Sequence, residues 1–179
     1  MKKLQIKQAY DFYKKYILQH TTEKSKIYTQ YGFTLQGSVG SKDWEVFAAI
    51  LLDDKARPGD GADLMNHEVK SAIIGSSFEY QYHKFHGVEK LEEDRKVDHV
   101  FIARGRDYLD IEIWLVNKLQ MIIYFDAWLP ELLENYKNNL RQRFRRSVPY
   151  SHITQHGKLI LTINEGKLIY SPIVDLPKD

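Results

Sequence analysis

Two carboxylates and an ammonium group occur within eight residues of this sequence. Asp63 precedes Glu68 by five positions, and Lys70 follows Glu68 by two. Successive side chains of a β-strand point to opposite faces, so Glu68 and Lys70 would share one face and Val69 would take the other. A tight turn at residues 65–66 would bring Asp63 back beside Glu68. The spacing therefore predicts three charged groups that converge at the end of a strand.

The chemistry that this arrangement favours is metal-dependent hydrolysis of a phosphodiester. Two carboxylates at such a distance repel each other, and a hard divalent cation bound through oxygen relieves the repulsion. Mg²⁺ suits the site because it takes one or two carboxylates and keeps several water molecules. Such a cation activates water and stabilises charge on a phosphoryl oxygen, while Lys70 adds positive charge beside the scissile phosphate. The alternative is a solvated polar strand face with a weak ion pair.

The surrounding sequence supplies the turn and the strand that these groups need. Residues 57–72 read Arg-Pro-Gly-Asp-Gly-Ala-Asp-Leu-Met-Asn-His-Glu-Val-Lys-Ser-Ala, so a Pro-Gly-Asp-Gly turn leads into the strand. Val69 can bury its side chain opposite the charged face, and residues 71–74 continue the strand with small and apolar side chains. This setting favours the catalytic interpretation.

Four segments of the chain match the motifs of one nuclease family in order and spacing. They are residues 58–71, 40–46, 95–104 and 149–160. In the first, an acidic-Gly-x-Asp run ends at Asp63 and precedes Glu-Val-Lys-Ser. This pattern resembles the active-site motif of PD-(D/E)xK nucleases and, within that superfamily, of small homodimeric type II restriction endonucleases. The resemblance spans about residues 36–161.

The resemblance implies an α/β (α+β) fold, namely the PD-(D/E)xK restriction-endonuclease-like fold with a central mixed β-sheet flanked by helices. It implies that Asp63, Glu68 and Lys70 are catalytic. The Mg²⁺ ligands would be Asp63, Glu68 and the backbone carbonyl of Val69. Asp60 is a weaker candidate for a second metal or for positioning water.

The activity implied by the resemblance is Mg²⁺-dependent hydrolysis of phosphodiester bonds at a specific site in double-stranded DNA. Such a site is expected to be palindromic, which calls for a two-fold symmetric homodimer. The aromatic-rich N-terminal helix is the candidate dimer surface, and a cognate DNA methyltransferase would be a functional partner.

Two features of the sequence depart from the family. The gap between Asp63 and Glu68 is shorter, and Asp94 stands where a tyrosine lies near the family's active site.

Residues 75–87 are the first candidate for contact with DNA. They mix aromatic side chains with groups that reach base edges or phosphates and lack a clean apolar alternation, which predicts a DNA-reading loop or ribbon. An exposed hairpin with locally packed aromatic side chains is the alternative. The resemblance favours DNA contact, because the family's base-contacting histidines fall on these positions and His83 keeps the histidine. The candidates are Ser77, Gln81, His83 and Lys84.

Residues 141–146 are the second candidate, with four arginines in six positions. We expect Pro149 to stop a preceding helix and to leave Arg145 and Arg146 on a connection, where they would contact guanine or clamp phosphate. A solvated basic helix face is the alternative. The net charge is only +2, but phosphate neutralisation depends on such local clusters more than on the total charge.

Composition limits the class of protein. The chain has 179 residues, 43% hydrophobic and 28% charged, as in an ordinary globular domain. It has no cysteine, which excludes disulfides and thiolate chemistry. No long apolar segment is present, so we expect no signal peptide, no membrane span and a cytoplasmic location. One domain over residues 1–179 is expected. Its parts would be a helical dimerisation part (1–55), a catalytic sheet (56–125) and a DNA-recognition part (126–179).

The remaining patterns predict the elements that must position these groups. Apolar periodicity predicts helices, which cover residues 6–17, 41–51 with Ser41 as cap, 88–96 with a solvated charged face, and a segment that starts at Pro130. Apolar runs and alternation predict strands, which cover residues 97–103, 109–116, 119–125, 158–163 and 167–170. Thr21 and Thr22 are expected in a cap or loop. His152 and His156 lie in a segment that looks extended, and we expect ordinary histidines there.

Two other interpretations of the whole chain stay open. One is a DNA-binding protein of the same fold, either inactive or a nuclease used in repair or junction resolution. The intact Asp, Glu and Lys argue against an inactive module, and a junction resolvase would show a broader basic face. The other is an unrelated α/β domain in which the motif is accidental.

Overall fold

A mixed five-stranded β-sheet with helices on both faces forms the centre of the structure. The computed structural model describes residues 3–59, 61–138 and 143–170, with the backbone alone at residue 170. The strands are β1 (His67–Ile73), β2 (Phe78–His83), β3 (Asp98–Arg104), β4 (Ile111–Val116), β5 (Arg143–Val148), β6 (Lys158–Asn164) and β7 (Lys167–Tyr170). The helices are α1 (Ile6–Phe12), a π-helical segment (Tyr13–Leu18), α2 (Gln19–Gln30), α3 (Ser41–Leu52), α4 (Gly87–Asp94), α5 (Lys118–Lys137) and α6 (Tyr150–His156).

The order of strands in the sheet is β1-β3-β4-β6-β7. Strands β1 and β3 are parallel, and the other neighbours are antiparallel. Strands β2 and β5 form a separate antiparallel ribbon. The predicted class, α+β with a mixed sheet between helices, is confirmed. Within the described residues, no helix is both long and apolar enough to cross a membrane.

Strand β3 joins the two halves of the hydrophobic core. Five of its seven residues are buried. Val100 and Ile102 pack against α1, the π-helical segment and α3, whereas Phe101 and Ala103 pack against α5 and the β2–β5 ribbon. A strand covered on both faces reads as a continuous apolar run. For this reason the sequence alone located β3 correctly.

The N-terminal helix covers the first face of the sheet. Ile6, Tyr13 and Ile17 are buried along one stripe, as their spacing predicts. The hydroxyl of Tyr13 donates to the carbonyl of Tyr108 at 2.8 Å, which fixes the helix to the turn before β4.

The same helix is longer than the sequence predicts. It runs through the π-helical segment into α2 and ends at Gln30, so the expected cap or loop at Thr21 and Thr22 is wrong. Both hydroxyls donate to the carbonyl of Leu18, at 3.0 and 2.7 Å, and are satisfied inside the helix. The predicted helix α3 is present, but Gly40 takes the cap position instead of Ser41.

Helix α5 replaces a predicted strand over residues 119–125 and a predicted helix start at Pro130. It begins at Lys118, and the side chain of Asn117 caps it by accepting from the N–H of Leu119 at 2.9 Å. Pro130 lies inside the helix. The buried residues of α5 recur with helical spacing; these residues are Met121, Phe125, Trp128, Leu132 and Asn135. Burial of this face therefore outweighs the tendency of proline to begin or interrupt a helix.

Three further predictions are wrong, two of them because the long-range pairing of β2 with β5 decides the local structure. Residues 143–148 form β5 and not a helix or connection, because they pair with β2. Pro149 precedes α6, so His152 and His156 lie in a helix and not in an extended segment. Residues 78–83 alternate between buried and exposed side chains, although we expected no clean alternation.

The central position of Phe101 yields a test of the fold. Replacing this fully buried side chain in Phe101→Ala should lower the free energy of unfolding by about 3–5 kcal/mol, because transfer energy is lost and a cavity remains. Phe85→Ala makes the same chemical change at a side chain that is 71% exposed and should cost about 0.5 kcal/mol or less. Urea unfolding at equilibrium measures both, and equal losses would contradict this description of the core.

Candidate active site

The three charged groups of the sequence motif converge beside β1, which is an edge strand of the sheet and pairs with β3. Glu68 and Lys70 lie on the same face of the strand, and the Lys70 ammonium donates to Glu68 Oε1. Lys70 Nζ also lies 4.0 Å from Asp63 Oδ2. The structure therefore brings together the three residues that the sequence predicts as catalytic.

The loop before β1 is tied to the strand by two reciprocal hydrogen bonds. The N–H of Asp63 donates to Glu68 Oε2 at 3.0 Å, and the N–H of Val69 donates to Asp63 Oδ2 at 3.0 Å. The N–H of Leu64 closes the turn by donating to the carbonyl of His67 at 2.9 Å. The predicted turn at residues 65–66 is present, and it folds Asp63 back as expected.

The backbone carbonyl of Val69 is directed to the same edge as Asp63. In a β-strand the N–H and carbonyl of one residue point to the same side, and the N–H of Val69 already donates to the Asp63 carboxylate. Asp63, Glu68 and this carbonyl thus offer oxygen ligands of the kind that Mg²⁺ prefers. Asp60, the weaker candidate ligand, lies outside the described residues.

The donor set fits Mg²⁺ but supplies few protein ligands. Among residues 3–59, 61–138 and 143–170, no group of three or more His, Cys, Asp or Glu side chains could hold a metal ion. Mg²⁺ is commonly bound through one or two carboxylates and keeps several waters. Two carboxylates and one carbonyl are consistent with that mode of binding.

Two residues of α4 complete the site, and only Asp94 could be placed near it from the resemblance to the nuclease family. Lys90 Nζ donates to Glu68 Oε1 at 3.1 Å and to Asp94 Oδ1 at 3.0 Å. Asp94 has no exposed side-chain surface and accepts a further hydrogen bond from the Tyr82 hydroxyl at 3.2 Å. The prediction that the charges of this helix form a solvated face is therefore wrong for Lys90 and Asp94.

Burial and neighbouring charges set the protonation states of the site. Burial opposes ionisation of Glu68, but Lys70 and Lys90 outweigh it and hold the pKa of Glu68 below its ordinary value. Burial and the charge of Glu68 raise the pKa of Asp63 to about 6, and the same two causes raise that of Asp94. Although burial opposes their charge, the nearby carboxylates raise the pKa values of both lysines, which stay protonated.

Aromatic side chains form the floor beneath Lys70. Its ammonium lies 4.9 Å from the ring centroid of Tyr80, and the Tyr80 hydroxyl is 2.8 Å from His99 Nδ1. Burial lowers the pKa of His99 to about 3, so this imidazole is neutral. Sequence reasoning missed both residues, although the spacing of Phe78, Tyr80 and Tyr82 is the signal that would have shown which side of β2 is buried.

The candidate DNA-contacting residues lie on or beside the β2–β5 ribbon. Gln81 is opposite Arg145 and His83 is opposite Arg143, and all four side chains are exposed. Directly opposed residues of an antiparallel pair share a face. The structure thus brings together Gln81, His83 and Arg145, and it adds Arg143.

The other three candidates are placed differently. Ser77 is exposed just before β2, and Lys84 is exposed in the turn after it. Arg146 lies opposite Tyr80, on the inner face of the ribbon, and pairs with Glu131 of α5. Arg145 and Arg146 therefore point to opposite faces and do not form one cluster. Arg141 lies outside the described residues.

Neither a protein-family model nor a curated protein matches the sequence. The functional interpretation therefore depends on the motif and on the geometry described above.

The raised pKa of Asp63 predicts how stability depends on pH. Its pKa rises from 3.8 to about 6 on folding, so its protonated form stabilises the fold below about pH 4, and this contribution is lost as the pH rises to about 6. The free energy of unfolding of Asp63→Asn should therefore exceed that of the wild type by about 2–3 kcal/mol at pH 8 in EDTA. The difference should vanish near pH 4.

Asp54→Asn is the matched control for this prediction. The side chain of Asp54 is 5% exposed; its partial burial opposes ionisation, but hydrogen bonds from His67, Lys55 and Asn66 outweigh it and lower the pKa of Asp54. The same substitution should consequently destabilise the protein at pH 8. Urea unfolding across pH 4–8 measures both variants, and a loss of stability in Asp63→Asn at pH 8 would contradict the assigned electrostatics.

Proposed function

We propose that this protein is a Mg²⁺-dependent type II restriction endonuclease with the PD-(D/E)xK fold. It hydrolyses phosphodiester bonds at a specific, palindromic site in double-stranded DNA. The observation that carries the proposal is the convergence of Asp63, Glu68 and Lys70 beside the edge strand β1. A solvated polar strand face would leave these groups in water, whereas the Glu68 side chain has no exposed surface and accepts hydrogen bonds from Lys70 and the Asp63 N–H.

Each residue of the motif has a distinct part in the proposed hydrolysis. Asp63, Glu68 and the Val69 carbonyl would hold Mg²⁺, which would supply Lewis-acid chemistry toward the scissile phosphate and water. Lys70 remains protonated because two carboxylates face it, so it stabilises negative charge on the phosphate and orients the attacking water. Water forms the new P–O bond as the P–O bond to the departing deoxyribose oxygen breaks, and the proton that water loses balances the one that this oxygen takes up.

The β2–β5 ribbon is the proposed DNA-reading element. The major groove of B-DNA admits a two-stranded β-ribbon. The outer face of this ribbon carries Gln81, His83 and Arg145, whose side chains reach base edges and phosphates. Arg145 lies 3.8 Å from Glu79 and is 53% exposed, so this weak ion pair leaves it accessible to DNA.

The proposed assembly is a homodimer, because a palindromic target requires a two-fold symmetric protein. Exposed apolar side chains of the π-helical segment, of α2 and of the residues after α2 support the N-terminal helix as the contact between subunits. They are Tyr16, Ile27, Tyr31 and Phe33. A DNA methyltransferase of the same specificity is the functional partner that the proposal implies. The division into dimerisation, catalytic and recognition parts stays a prediction.

Digestion of unmethylated phage DNA by the purified protein tests the activity. Wild-type protein with Mg²⁺ should give discrete bands, and EDTA should abolish them. Lys70→Ala should lose cleavage by at least about 100-fold, because the charge that stabilises the transition state is removed, while binding to DNA persists. Gel-shift titration of the same variant measures binding separately.

The outcomes of the digestion separate the possible activities. Sequencing the ends of discrete fragments would give the recognition site and the geometry of the cut. A smear would identify a nuclease without sequence specificity. Sequence-specific binding without cleavage in any divalent cation would refute the restriction activity and favour the alternative of a DNA-binding module. Cleavage by Lys70→Ala at the wild-type rate would remove Lys70 from the mechanism.

The two faces of the ribbon predict different roles for neighbouring arginines. Arg145→Ala should weaken DNA binding and, if it contacts phosphate, reduce the slope of log K against log salt by about 0.9. Arg146→Ala is the matched control, since Arg146 faces α5 and pairs with Glu131, and its salt slope should stay unchanged. Filter binding at several salt concentrations measures both slopes. A larger change in Arg146→Ala than in Arg145→Ala would exclude the outer face as the DNA surface.

A further inference from the structure

Lys90 is the point at which three segments of the chain meet. Its ammonium lies 3.1 Å from Glu68 Oε1 on β1, 3.0 Å from Asp94 Oδ1 on α4, and 3.3 Å from the carbonyl oxygen of Gly61 in the preceding loop. An ammonium group has three N–H donors, so these three acceptors can satisfy every hydrogen-bond donor of Lys90. Only a quarter of the side chain is exposed (25%).

The contacts of Glu68 conflict with a role as a cation ligand. Oε1 accepts from both Lys70 and Lys90, and Oε2 accepts from the Asp63 N–H. The side chain has no exposed surface. These donors use three of the four lone-pair sites of the carboxylate, and the buried side chain offers no surface through which a cation could reach the fourth. We therefore expect a divalent cation that uses this carboxylate, as the proposed function requires, to displace one of the three donors.

Of the donors to Glu68, Lys90 is the one whose displacement costs the least free energy. Its other two acceptors lie on its own helix and on the loop, so the charge remains partnered when the contact with Glu68 is lost. Asp94 follows Lys90 by four positions on α4, the spacing at which helix side chains meet, and the flexible stem of lysine allows a short movement of its ammonium. Lys70, in contrast, has Asp63 Oδ2 at 4.0 Å as its next anionic oxygen.

We propose that Lys90 is a counter-ion that pairs with Glu68 in the cation-free protein. When a divalent cation binds to Glu68, the cation displaces the Lys90 ammonium, which stays paired with Asp94. Two consequences of opposite sign follow. The positive charge of Lys90 lowers the affinity of the site for a divalent cation, and Asp94 raises that affinity by drawing Lys90 away from Glu68. This inference rests on the proposed metal site but requires neither DNA nor cleavage.

Binding of Mn²⁺ at pH 8, followed by the electron paramagnetic resonance signal of the free ion, tests the proposal. Mn²⁺ takes the same oxygen ligands as Mg²⁺. Lys90→Met should bind Mn²⁺ roughly tenfold or more tightly than the wild type, because a charge adjacent to the ligand is removed. Asp94→Asn should bind it several-fold more weakly. A purely structural role of the pair would weaken binding in both variants or change neither.

Three further variants separate the local effect from changes of total charge and from misfolding. Lys96→Met removes the same charge from an exposed side chain, 63% exposed and paired with Glu93, and should keep the wild-type affinity. Lys90→Arg keeps the charge and should not exceed the wild-type affinity. Lys90→Met combined with Asp94→Asn removes the buried pair together, leaves the total charge unchanged and should still bind more tightly than Asp94→Asn alone.

The result that would overturn the proposal is a folded Lys90→Met protein, verified by circular dichroism, whose affinity for Mn²⁺ equals or falls below that of the wild type. The absence of Mn²⁺ binding in the wild type and all variants would overturn it equally. DNA digestion is scored independently. Cleavage by the wild type with no gain of affinity in Lys90→Met would retain the nuclease and reject the counter-ion. A gain of affinity in Lys90→Met without DNA cleavage by the wild type would retain the counter-ion and reject the nuclease.

Discussion

The buried charge of Glu68 is the constraint on which the arrangement of the site depends. Removing an ion from water costs several kcal/mol, so a carboxylate without exposed surface is stable only among donors and opposite charges. Glu68 obtains these from three segments, namely Lys70 of its own strand, Lys90 of α4 and the N–H of Asp63 in the preceding loop. Neutralising one side chain therefore fixes the positions of β1, α4 and this loop relative to each other.

The site lies where the two halves of the core meet. Val69 packs into the half that contains α1 and α3, whereas Tyr80 belongs to the half that contains α5. Because Lys70 lies over the Tyr80 ring, the inner face of β2 supports the charged site, while its outer face carries Gln81. The proposed DNA-reading face and the proposed catalytic residues thus lie on opposite sides of β2, so a shift of this strand would affect both.

The site also contains more carboxylates than lysines to compensate them. Asp63 and Asp94 both lie near the ionised Glu68, and burial together with that charge raises the pKa of each. Two lysines compensate three carboxylates, which leaves one excess negative charge when all are ionised. Such unfavourable electrostatics are common where a protein maintains a functional site at the expense of stability. A bound cation would remove the excess.

The sequence by itself determined the elements whose signals are local: the motif spacing around Glu68, the apolar run of β3 and the amphipathic start of the N-terminal helix. It did not reveal Lys90, because an amphipathic charge pattern does not show which turn of a helix faces a strand 22 residues away. Nor did it locate β5 or the full length of α5, since pairing with β2 and burial against the sheet outweighed local arginine and proline preferences. Tertiary packing decided these features because their free energy comes from contacts between distant segments.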